Sequence, residues 1–121
     1  MASQDWSIKI VPSGSSVAFQ PDVPGAKPGD PLQAQDADLI SWNNRTGASH
    51  WPWAIDPTTG EPFVSVEAAK DAGLYLSDNV PPWESSTDTY VTTAPPSGST
   101  TIDYICKNHP NEKGQIIVSA S

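Results

Sequence analysis

The chain has 121 residues, enough for one domain with its own core, and 17% of them are charged against 36% hydrophobic. Thirteen prolines and eight glycines interrupt it too often for long helices, so short strands and turns are expected. Six basic against fourteen acidic residues give a net charge of −8, which excludes nucleic acid and anionic membrane as natural partners and favours a basic protein.

Trp6-Ser7-Ile8-Lys9-Ile10-Val11 alternates with period two and reads as a half-buried strand ended by Pro12-Ser13-Gly14. Val17-Ala18-Phe19 is a second short strand. Residues 21–31 carry Pro21, Pro24, Gly25, Pro28, Gly29 and Pro31, punctuation that predicts an irregular surface loop before a brief pairing at Leu32–Ala34. The strand Asp38–Asn44 puts Leu39 and Ser41 on one face and Ile40 and Trp42 on the other. Little regular structure is expected from Thr46 to Trp53, a loop that carries His50 between small residues and two tryptophans.

Residues 54–86 are an irregular insertion. Ser65 is a plausible N-cap for a short helix over Val66–Ala72, stopped by Gly73. Thr87–Thr93 reads as a β-branched strand. Seven or eight such strands with irregular crossings predict an antiparallel sandwich.

The final stretch, Ile102 to Val118, reads as a strand, a tight loop carrying Cys106 and His109, and a second strand. Cys106 is the only cysteine, so it forms no internal disulfide and is buried, reactive or metal-bound. A thiolate and an imidazole three residues apart are soft and borderline donors that suit copper or zinc. The residues between Tyr104 and Pro110, Tyr-x-Cys-x-x-His-Pro, followed by Gly114-x-Ile116-x-Val118, resemble the C-terminal ligand loop of the cupredoxins, the small blue copper proteins, in their short-loop amicyanin-like form. Trp42-Asn43-Asn44 followed by His50 is similar to the same family's Trp-x-Asn strand end, six residues before its first histidine ligand.

The resemblance implies a single-domain, all-β, Greek-key β-sandwich over residues 1–121, with a short helix in the 54–86 insertion. It also implies one copper ion, cycling between Cu(I) and Cu(II), on His50, Cys106 and His109. Where the family has its axial methionine this chain has Glu112, and its only methionine is Met1. Glu112 is therefore the candidate axial donor; water, a backbone oxygen, or a pairing of Glu112 with Lys107 or Lys113 are the alternatives. The residue after the first histidine, commonly Asn in the family, is Trp51, which leaves Ser49, Asn44 or Asn108 to tie the two ligand segments together.

The function so implied is one-electron transfer with a redox protein partner, as a monomer. Alternatives are a copper oxidoreductase acting on a small molecule at an open axial site, and a copper carrier or storage protein. The resemblance points to a periplasmic or extracellular location, although Met1-Ala2-Ser3-Gln4-Asp5 has neither the basic nor the apolar region of a signal peptide, and no run reaches the ~18 apolar residues of a membrane span. Trp51 and Trp53 are read either as an apolar patch or as packing against the insertion. Trp6, Trp42 and Tyr104 are assigned to the core, and the scattered aspartates, Asp38 among them, to a solvated surface.

Overall fold

The computed structural model describes residues 4–120; Met1 and the start of the signal-peptide reading lie outside them. Eight strands and one helix follow in order: β1 Asp5–Ser13, β2 Ser16–Pro21, β3 Leu32–Gln35, β4 Leu39–Asn44, β5 Pro52–Ala54, α1 Val66–Asp71, β6 Tyr90–Val91, β7 Ser99–Cys106 and β8 His109–Ser119. They form two four-stranded sheets, β2-β1-β4-β6 and β3-β8-β7-β5. Each sheet is mixed, not purely antiparallel as expected, because β1 runs parallel to β4 and β3 parallel to β8. Both parallel pairs arise from chain crossing between the sheets, the handiwork of long connections that hairpins alone do not make.

Alternation builds the core. Ile8 and Ile10 of β1, Ile40 and Trp42 of β4, and Ile116 and Val118 of β8 all turn inward and are buried. Phe19 and Trp42 each meet the Tyr104 ring edge-on, at centroid distances of 4.8 and 5.7 Å, so one aromatic from β7 joins the two sheets. Across the β7–β8 ladder Tyr104 pairs with Gly114, and a Cβ there would lie 2.4 Å from the Tyr104 ring. Only glycine leaves room for the phenol.

Several expected boundaries shift for physical reasons. Strand β1 continues through Pro12 to Ser13, because its last rung with β4 is at Ile10 and beyond it only β2 remains as a neighbour. Residues 52–54, expected to be loop, form β5 against β7. The strand expected over Thr87–Thr93 shrinks to Tyr90–Val91. Thr87 and Asp88 donate their N–H groups to the Asp78 carboxylate, and the Thr92 hydroxyl accepts from Asp38 N–H, so side chains divert the backbone on both sides. Helix α1 starts where predicted, with the Ser65 hydroxyl accepting the Ala68 N–H at 3.0 Å, and ends at Ala72 before Gly73 in the left-handed region.

Asp38 is not a solvated surface group. It is buried and accepts hydrogen bonds from Gln4 N–H (3.0 Å), the Trp6 indole (2.8 Å) and Gln35 N–H (2.9 Å). Burial pushes its carboxyl up, but these donors together outweigh burial and leave it below its ordinary value. It fastens the start of β1 to the β3–β4 corner.

Candidate metal centre

His50, Cys106, His109 and Glu112 meet at one end of the sandwich, with a donor atom of each lying within 4.8 Å of all the others. Three of the four come from the β7–β8 hairpin. Its turn is shorter than the sequence suggests: Cys106 pairs directly with His109, so both sit at strand ends and only Lys107 and Asn108 turn. The register then breaks. Ile105 pairs with Lys113, which leaves Pro110, Asn111 and Glu112 without rungs opposite them. In an unbroken strand, residues three apart face opposite sides. The bulge cancels that alternation and turns Glu112 to the same side as His109.

His50 arrives from the connection between β4 and β5, that is, between the two sheets. Its main chain is held on both sides by Val80, with His50 N–H donating to Val80 O (3.1 Å) and Val80 N–H to His50 O (2.9 Å). The 54–86 insertion thus positions one of the four donors, a role that no local pattern around Val80 announces. Asn44, the last residue of β4, accepts from Thr46 N–H and donates to the carbonyls of Ala48, Val80 and Pro81, bracing the same loop.

Two backbone N–H groups and one side-chain amide tie the upstream ligand segment to the downstream one. Trp51 N–H donates to Cys106 Sγ at 3.4 Å, and Lys107 N–H donates to Trp51 O at 2.8 Å. Of the three side chains considered for this link, Asn108 makes it, donating to Ser49 O at 3.2 Å and to Asn79 at 3.1 Å. Trp51 and Trp53 pack against the insertion, their indoles donating to Ser77 O and Phe63 O respectively. Lys107 lies over both rings, 4.7 and 4.3 Å from their centroids, and not beside Glu112.

Four of the six donor–donor distances match a four-coordinate site, and all six are within 4.8 Å. Cys106 Sγ lies 3.5 Å from His50 Nδ1 and 3.6 Å from His109 Nδ1, while Glu112 Oε1 lies 3.2 and 3.7 Å from the same nitrogens. Bonds of about 2.0 Å to nitrogen and oxygen and about 2.3 Å to sulfur, at tetrahedral angles, set donors about 3.3–3.5 Å apart. Glu112 Oε1 is buried and accepts no hydrogen bond among the described residues, although an imidazole is 3.2 Å away. A buried carboxylate oxygen left so is costly unless a cation completes it. These residues fit a metal ion.

Burial governs the protonation of the metal-free site. Desolvation pushes His50 below the ordinary imidazole range, with the Glu112 carboxylate opposing and His109 reinforcing it. Burial likewise pushes the Cys106 thiol up, against the pull of the Trp51, Asn108 and His109 N–H groups. Both groups must offer lone pairs to bind a metal, and Cys106 must first lose its proton. The two histidines differ in access: the His109 side chain is 47% exposed and that of His50 is 3% exposed.

No family model and no curated protein matches this chain. Solved structures do. A proline-to-glycine mutant of amicyanin, in its reduced Cu(I) form at pH 4, aligns with a TM-score of 0.56 and 15% identity over 98% of this chain and 86% of its own. A methionine-to-alanine mutant of amicyanin with Cu(I) aligns at 0.53 and 16% identity over 93% of this chain and 82% of its own. A reduced tryptophan-to-tyrosine mutant of amicyanin aligns at 0.53 and 15% identity. The chain therefore has the cupredoxin fold, an all-β sandwich with one short helix.

Proposed function

We propose that His50, Cys106, His109 and Glu112 hold one copper ion and that the protein transfers single electrons to and from a redox partner. The observation that carries the reading is the convergence of two imidazole nitrogens, one thiol sulfur and one carboxylate oxygen within 4.8 Å of one another in a chain with the cupredoxin fold. A mixed set of two nitrogens and one thiolate accommodates both Cu(I) and Cu(II), which supplies the one-electron chemistry. The residues' own task is to stay still. The Val80 clamp on His50 and the Trp51 N–H on Cys106 hold the donors from outside, so little has to rearrange as charge changes.

Glu112, 6% exposed and facing both histidines, closes the fourth position. That supports an electron carrier over an enzyme that binds a small molecule at an open site. The half-exposed His109 ring is the natural route for the electron, and the net charge of −8 suits a basic partner in a periplasmic or extracellular setting. Cu(II) added to the metal-free protein is expected to produce an intense thiolate-to-copper band in the visible, and Cys106→Ser to abolish it. Wild-type protein that binds Cu(II) and stays colourless would reject the reading; a band that shifts on adding azide would replace the carrier with the open-site enzyme.

A further inference from the structure

We propose that Ser16 is a positioning residue for the fourth donor: its hydroxyl sets the Glu112 carboxylate so that a single oxygen faces the metal position. The inference rests on the metal reading above. Ser16 opens β2 directly after a two-residue turn, Gly14-Ser15, in which Gly14 takes a positive φ of 64° and lets Ser13 and Ser16 form the first rung. The hairpin tip thereby reaches Glu112 on β8, 96 residues away in sequence, and the Ser16 hydroxyl lies 3.2 Å from Glu112 Oε2. An ionised carboxylate only accepts, so Ser16 donates.

The chemical consequence follows from the two oxygens. Oε1 is 3.2 and 3.7 Å from the two imidazole nitrogens and accepts no hydrogen bond, whereas Oε2 accepts the only one given to Glu112 among the described residues. A carboxylate without that restraint rotates about its Cγ–Cδ bond and no longer holds one oxygen toward the cation, which weakens its hold on the metal. With a hydroxyl engaged on Oε2, Glu112 gives one oxygen and the donor count stays at four. Ser16 is itself exposed, so replacing it removes this restraint without opening the core.

The test compares wild type, Ser16→Ala and Ser16→Thr, each alone and in a Glu112→Met background, by the visible spectrum and electron paramagnetic resonance of the Cu(II) protein and by Cu(II) competition with a chelator. Ser16→Ala is expected to lower Cu(II) affinity about 10-fold, the lower end of what losing a partner of a metal ligand costs. It should also move the charge-transfer band, and Ser16→Thr should restore both. In the Glu112→Met background Ser16→Ala should change neither. If wild type forms the coloured site and Ser16→Ala matches it, the positioning role is overturned and the copper site stands. An equal change with and without Glu112 would assign Ser16 a purely structural effect and overturn the role as well. If wild type forms no coloured site, the metal reading falls and this inference with it.

Discussion

Asp38 is the residue on which the pH dependence of this fold can be read without touching the metal site. Its carboxyl sits below its ordinary value of 3.8 because Gln4, Trp6 and Gln35 all donate to the charged form. An unfolded chain therefore binds a proton more readily than the folded one. The stability that this contributes is complete above about pH 5 and is lost progressively as pH falls through the ordinary value toward the lowered folded one. Asp38→Asn keeps the shape but sets an amide N–H against one of the three donors. It should cost about 1.5–3 kcal/mol at pH 7, the range for hydrogen bonds to charged groups, and distinctly less at pH 3. Urea unfolding of the two metal-free proteins at both pH values measures this, and a difference that does not shrink in acid would refute the assignment. Among the scattered aspartates this one carried little to distinguish it, since the donors from Gln4 and Trp6 lie more than thirty residues away and only Gln35 is local.

At the scale of elements, the β7–β8 hairpin is the most legible part of the chain and also the part whose detail was hidden. Cys106, His109 and the Ile116–Val118 alternation are local and stand out. The three-residue register break is not: a run through Pro110, Asn111 and Glu112 reads equally as loop or strand, and only pairing with β7 decides. The same holds for β5, whose partner is fifty residues downstream, and for Val80, which nothing nearby marks as the clamp on His50. The two histidines were equivalent as letters and are not as neighbours. His109 ends a turn at the surface, while His50 is enclosed between β4, β5 and Val80. Removing each ring therefore leaves different holes. With His109→Gly, added imidazole should enter from solvent and recover the visible band. With His50→Gly recovery should be poor, because the hole is sealed. Absorbance titration with imidazole checks both, and equal recovery would contradict the difference in access.

Over the whole molecule, the site stands where the two sheets meet, and the core beneath it is built almost entirely from residues other than the donors. His50 leaves β4 of one sheet and enters β5 of the other, while Cys106, His109 and Glu112 belong to the second sheet alone. The buried cluster of Ile8, Ile10, Phe19, Leu32, Ile40, Trp42, Tyr104, Ile116 and Val118 is closed without any of the donors except Cys106 at its edge. The metal-free protein should accordingly unfold cooperatively, and metal should add to its stability and not create it. Serine at position 106 can still accept the Trp51 N–H, so metal-free Cys106→Ser should lie within about 1 kcal/mol of metal-free wild type. Binding to the folded state alone adds RT ln(1 + [L]/Kd), about 2.7 kcal/mol at free metal one hundred times Kd. Wild type should gain that increment on copper loading and Cys106→Ser only a small part of it, because a soft anionic donor has become a hard neutral one. Denaturant unfolding of the two proteins, with and without copper at fixed free concentration, separates the contributions. A metal-free wild type that fails to unfold cooperatively would show that the donors organise the sandwich, and an equal increment in both proteins would place the metal elsewhere on the chain.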